Sequence, residues 1–423
     1  MLRRGRAAGI LLIGLAVAEV AVWSLLSLVR SILGGQPITP YVAPQYWLNY
    51  DHGFVRRGLP GQVLQWVSPG HEPSRTVVDV VGVTLSVGAV LAVLALALLL
   101  ARSAGSRRTR LGLVAAVVSS PLTLSLYLRD LGRVDAVGVV VLVLLVTLPW
   151  RSWPPALVVG GLAGLTSVAV ATSELLVVFV VPVTVVAAAS ALTHWSGPDG
   201  RPWALRRRAV LWSAIALLPC LLVAGLSAAL PAPTATLAEA STAARAAGVP
   251  ASVPLTPELV DHDSVSRLRY GLLENVRDYY ATTTAARVLG TTLLWAGLFA
   301  GLVSVVWLLL GRSLRDRTLR VLLVLFGSAA VVLSVAAIDY RRWWALATVT
   351  ALAMVLQLTR SDTPSTDPPL QHPPPGPTWA DRARDRASTV LLIVLALAGV
   401  MLQSTPVWPL RLVDLPLLGT LFG

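Results

Sequence analysis

The sequence predicts an all-α protein, a polytopic transmembrane helix bundle of about 11 spans with the N-terminus in and the C-terminus out. Three observations lead there. Apolar residues make up 55% of the chain against 13% charged, and mean hydropathy is +0.73. Apolar runs long enough to cross a bilayer recur from end to end, separated by short connectors. Those connectors alternate in arginine content, as the two sides of a membrane protein do.

The elements follow in chain order. Residues 1–6 are basic and 9–29 apolar, which fits a signal peptide or an uncleaved first span. The run continues beyond the cleavage-like Ala16-Val17-Ala18 and so favours an anchor. Glu19 lies inside that run, and an ionisable group at such depth either serves function or hydrogen-bonds within the bundle. Further spans fall at roughly 76–101, 111–128, 134–150, 154–172, 174–193, 209–230, 288–311, 320–338, 343–359 and 387–405. The organisation is then a bundle over 1–359 with outer loops 31–75 and 231–287, a Pro-rich cytoplasmic linker over 360–386, and a final span with an outer tail over 387–423.

Charge fixes the orientation. All 34 basic residues are arginine, and they set the formal charge of +13; a lysine-free chain reflects coding bias rather than a nucleic-acid-binding surface, so no nucleic-acid partner is expected. With the N-terminus inside, 20 arginines face 6 acids on the inner side, whereas 14 arginines match 14 acids outside. This is the arrangement the positive-inside rule prefers. The single cysteine, Cys220, sits in an apolar run, so no intramolecular disulfide forms.

The densest chemistry is the first outer loop, Tyr46 to Gly61. It brings aromatics, Asp51, the adjacent Arg56 and Arg57, and glycines at 53, 58 and 61 into one short stretch. Glycine allows close backbone approach or a positive φ, and paired arginines can hold a phosphate bidentately. Three more charged groups fall where a span meets the outer surface: Asp130 and Asp135 with Arg129 and Arg133, then Glu174, then Asp339 with Arg341 and Arg342. All four groups can line one vestibule, with Asp339 to Arg342 as the second half of a phosphate site. Charges at helix ends also serve as solvated caps or interfacial anchors.

Within 231–287, the spacing of Val265, Leu268, Leu272, Val276 and Tyr279 predicts a helix along the outer interface. No Gly-rich phosphate loop, His-Glu-x-x-His or metal-spaced cysteine pair occurs, and no metal site is expected. Asp261-His262-Asp263 reads as a solvated turn, since three consecutive side chains do not face one ion in regular structure.

The first-loop acid Asp51, in Asn49-Tyr50-Asp51-His52-Gly53, the many spans and the large late outer loop resemble the integral-membrane, C-type superfamily of glycosyltransferases. The string from Asp51 to Gly61 and the segment Asp130 to Asp135 are also similar to bacterial polytopic membrane proteins. The resemblance implies a multi-pass enzyme of the plasma membrane that transfers a sugar from a polyprenyl-phosphate carrier to a cell-envelope acceptor on the outer face. Its partners would be a lipid-linked sugar and membrane lipid, and its catalytic residue Asp51 as general base. Guanidinium suits a departing lipid phosphate, which assigns substrate binding to Arg56, Arg57, Arg133, Arg341 and Arg342 beside the acids Asp130, Asp135, Glu174 and Asp339. Nothing in the sequence specifies a cofactor. A transporter or flippase of lipid-linked saccharides, a polymerase of them, and a non-catalytic assembly subunit stand as alternatives.

Overall fold

The structure, a computed structural model, describes residues 37–194, 202–230, 232–250, 284–312, 316–336 and 340–361, with a few single positions elsewhere. Glu19, Asp339, the Asp261 to Asp263 turn, and most of the Pro-rich linker and of the last span lie outside the described residues. Among those described, the fold is all-α with no strand.

The described residues form α1 (Leu59–Val67), α2 (Arg75–Arg102), α3 (Arg107–Ser119), α4 (Leu124–Arg129), α5 (Ala136–Thr147), α6 (Pro155–Thr172), α7 (Val177–His194), α8 (Pro202–Ala229), α9 (Thr234–Ala246), α10 (Ala285–Leu309), α11 (Arg317–Ala336) and α12 (Tyr340–Ser361). Among the described residues, six helical segments are long and apolar enough to cross a membrane: Arg75–Arg102, Pro155–Thr172, Glu174–Ala191, Val210–Ser227, Val288–Leu309 and Arg317–Ser334. At most 56% of any such window is buried by the protein itself. The remaining apolar surface, including Leu91, Leu98, Leu218 and Val324, therefore suits lipid rather than water.

Two apolar stretches depart from the simple pattern. The run at 111–128 is broken, because α3 ends at Ser119 and α4 begins only at Leu124. Pro121 has no N–H to continue the ladder and drives Ser120 out of helical geometry, to ψ 132°. The freed carbonyls are recovered locally: the Thr123 hydroxyl donates to Val117 O and Ser120 O. The second departure is α5, whose 12 residues rise only about 18 Å, short of a bilayer core of about 30 Å.

The chain divides into two compact units. One contains Val93–Arg129 and Thr283–Gly423. In it α12 packs against α10 and α11, α10 also meets α3, and α4 lies against α3 and α12. Every residue from Arg342 to Gln357 is buried, so α12 is wrapped by protein on all sides. A helix buried all round needs no polar face towards solvent.

The other unit contains Ser27–Ala92 and Asp130–Thr282. Here α6, α7 and α8 pack on one another, with α5 against α6 and α7. A second, smaller core joins the loop residues: Ile38, Val42, Tyr46 and Leu48 meet Leu237, Ala240 and Ala244 of α9. The α9 helix was not expected from the sequence. Its buried face, Thr236, Leu237, Ala240, Ala243 and Ala244, keeps helical spacing but is built from alanine and threonine, which give little hydropathic contrast. Val265 and Leu268 are fully or nearly fully buried in this same core. Those two residues face protein, whereas the sequence places their helix on the membrane interface.

Candidate functional site

The loop of the second unit is shaped first by its glycines. Gly53 adopts φ +113°, which side chains disfavour, whereas Gly61 is required by space: a Cβ there would lie 1.9 Å from Leu48 O. The 43–47 turn and α1 are thereby held in backbone contact. Tyr46 anchors the turn from below, its buried hydroxyl donating to Gly132 O at 2.7 Å. Burial, and then the charge of Asp135, push its phenol above the ordinary range.

Asp51 sits in a solvent-exposed turn. Its backbone N–H donates to Asn49 Oδ1 at 3.1 Å, and its carboxylate accepts from Gln65 Nε2 at 2.6 Å. Gln65 is in turn fixed by Gln62, whose Nε2 donates to Gln65 Oε1 at 2.9 Å while its own Oε1 accepts Tyr50 N–H at 2.8 Å. This amide relay, from i and i+3 positions of α1, orients the acid without neutralising it. Sequence reading missed both glutamines, although the helical pattern of Leu59–Val67 places them on one face. Next to Asp51, His52 Nε2 lies 2.8 Å from Glu239 Oε2, tying the loop to α9.

Arg57 and Glu174 form the charged centre of the site. They are 117 residues apart in sequence, yet the guanidinium donates through Nε and Nη2 to both carboxylate oxygens, at 3.3 and 3.2 Å. Their side chains are 17% and 14% exposed. Arg57 is also the one non-glycine residue with positive φ among those described, at 63°. That conformation costs roughly 1–2 kcal/mol, and the two-point ion pair holds it in place. Burial alone would lower the Arg57 pKa, but the Glu174 charge and hydrogen bond, with Tyr41 and Asp135 behind them, raise it. Arg56 behaves oppositely: burial and the like charge of Arg57 win over Glu174 and lower it. The Arg56 side chain donates to Leu268 O at 2.5 Å.

The Asp130 and Asp135 group meets the same unit. Arg133 Nε donates to Asp130 Oδ2 at 2.7 Å, and the Arg133 guanidinium lies 5.7 Å from the centre of the Tyr41 ring. Asp135, 2% exposed, stands at the N-cap position of α5 without a side-chain capping hydrogen bond, and its charge acts on both Tyr46 and Arg57. Three of the four sequence-predicted groups thus fall in one unit, around a pair, Arg57 with Glu174, that the sequence did not join.

The fourth group lies in the other unit. Arg341 donates from Nε and Nη2 to Pro121 O at 3.3 and 3.2 Å, with its guanidinium 5.9 Å from the Trp295 ring centre. It satisfies the carbonyl at the α3–α4 break. Arg342, 9% exposed, stacks 4.4 Å from the centre of Trp343. Trp343 and Trp344 are buried. Among the described residues, no cluster of three or more His, Cys, Asp or Glu side chains could hold a metal ion. Compared with known proteins, no family model matches this chain, and neither a curated protein nor a solved structure is similar to it.

Proposed function

We propose that the chain is a multi-pass protein of the plasma membrane whose opening loop is a glycosyltransferase-like site facing outward, taking a sugar from a polyprenyl-phosphate carrier to a cell-envelope acceptor. The observation that carries this reading is the pairing of an exposed, amide-oriented carboxylate, Asp51, with two guanidiniums five and six residues further on, one of them clamped by Glu174. In the reaction, Asp51 accepts the proton of an acceptor hydroxyl as its oxygen bonds to the anomeric carbon. The bond from that carbon to the carrier phosphate breaks, and its electron pair leaves on the phosphate. Arg56 and Arg57 face that growing negative charge as planar, always-charged donors already held in position. Tyr50 and Phe54, stacked with ring centres 5.8 Å apart, form an aromatic wall beside Asp51.

The assay is transfer of radiolabelled sugar from polyprenyl phosphate in membranes containing the protein. Asp51→Asn keeps the shape and the Gln65 contact but removes the base, so transfer is expected to fall by roughly 10²–10⁴. Undiminished transfer by that variant, or none by the wild type with any such donor, would overturn the enzymatic reading and leave transport of the lipid-linked saccharide.

The reading requires about 11 spans with the N-terminus in and the C-terminus out. In a Cys220→Ser background, single cysteines at His71 and Ser106, at the two ends of α2, are expected to react with an impermeant thiol reagent from opposite sides. Labelling of His71→Cys only after permeabilisation reverses the orientation.

A further inference from the structure

At the C-terminal end of α2, the turn into α3 carries an open cleft of about 320 Å³. Arg102, Arg107 and Arg110 line it together with Leu98, Leu111 and Val114. All six residues belong to the first unit described above. The lining of the cleft is therefore in part cationic and in part aliphatic. Leu98 and Leu111 are 54% and 63% exposed, and they continue the lipid-suited surface of the membrane helices.

The arginines here differ from those of the loop site in their counter-charges. Arg57, Arg75 and Arg133 each pair with a carboxylate, Glu174, Asp79 and Asp130. No acid lines the cleft, and no Asp or Glu occurs between Asp79 and Asp130 in the chain that forms it. Among the described residues, no salt bridge involves Arg102, Arg107 or Arg110. The first turn of α3 carries arginines and no acid, against the helix dipole, which favours anions at that end. Local geometry also fixes the donors. Ser106 caps α3 by accepting Thr109 N–H at 3.0 Å, and Arg110 Nε donates to Ala104 O at 3.0 Å, holding its guanidinium across the turn.

We infer that this cleft binds an anionic membrane phospholipid, with the headgroup phosphate among Arg102, Arg107 and Arg110 and an acyl chain along Leu98, Leu111 and Val114. The ligand supplies the negative charge that the turn lacks and the apolar contact that exposed leucines require. A soluble anion would meet only the first need.

The test uses the full-length protein in nanodiscs of phosphatidylcholine, alone or with phosphatidylglycerol, and native mass spectrometry to count retained lipid. The wild type is expected to retain phosphatidylglycerol over phosphatidylcholine. The triple variant Arg102→Gln, Arg107→Gln, Arg110→Gln is expected to weaken that retention on the order of a hundredfold. The single variant Arg102→Gln, at an exposed position, is expected to weaken it about fivefold, which keeps the test decisive where the triple variant does not fold. Equal retention of the two lipids by the wild type would overturn the proposal. So would undiminished retention by a folded variant, or displacement of phosphatidylglycerol by millimolar inorganic phosphate, which would mark a site for the free anion.

Discussion

The Arg57–Glu174 pair shows how one contact serves both backbone and charge. Removing a single partner leaves the other ion uncompensated, so Glu174→Gln is expected to destabilise the protein by about 3 kcal/mol, the lower end for a broken buried pair given the residual exposure. The double variant Arg57→Gln, Glu174→Gln is expected to recover much of that loss in thermal unfolding in detergent. At Gly61 the constraint is steric. A methyl group there meets Leu48 O, so Gly61→Ala is expected to cost at least about 1–3 kcal/mol, whereas Gly160→Ala, with nothing within 4 Å, is expected to be tolerated. The tyrosines set an alkaline limit. Burial raises the Tyr50 phenol to about 12, whereas in an unfolded chain it ionises near 10. Its contribution to stability is therefore complete below pH 10 and is lost as pH rises towards 12. Thermal unfolding followed across that window is expected to show a falling midpoint in the wild type and a flatter profile in Tyr50→Phe.

At the scale of elements, apolar run length placed the long helices well, because length and hydropathy are local properties of the chain. The break between α3 and α4 was also written locally, in Ser120-Pro121, but an uninterrupted hydropathic run conceals it. Arg341 closes that break with two hydrogen bonds to one carbonyl. An ammonium group cannot reproduce the fork, so Arg341→Lys is expected to lower the melting temperature measurably although charge is kept. The α9 helix was harder to read, since alanine and threonine on its inner face look no different from the surface. Its attachments differ in weight. The His52–Glu239 contact is 43% and 61% exposed, so His52→Ala is expected to shift stability little, whereas Ala244→Asp would place a charge in the small core and detach the helix. Limited proteolysis of the 232–250 segment distinguishes the two.

For the molecule as a whole, composition made the membrane class legible, and the glycines of the opening loop were legible as positions of close approach, as Gly61 against Leu48 O shows. The joining of Arg57 to Glu174 was not legible, because it depends on where α7 starts relative to a loop more than a hundred residues earlier. Asp135 illustrates the same limit. Its position before an apolar run is visible in sequence, but its influence on Tyr46 and Arg57 exists only once the chain has packed.

The burial of α12 has a consequence for how the protein is made. A helix enclosed by its own chain gains no stabilisation from lipid contact, and α12 is not among the six described segments long and apolar enough to cross a membrane. It carries Arg342, Thr348, Thr350 and Gln357 inside the packing, the threonine hydroxyls turned back on Trp344 O and Leu346 O at 2.7 Å each. Synthesis proceeds from the N-terminus, so α10 and α11 emerge before α12 and provide the surface that receives it. Membrane integration of α12 then depends on its predecessors. In a cell-free translocation assay, α12 fused alone to a reporter is expected to pass through or remain outside the bilayer, and to integrate when α10 and α11 precede it. Integration of the isolated helix at full efficiency would show that its sequence, and not its neighbours, directs its insertion.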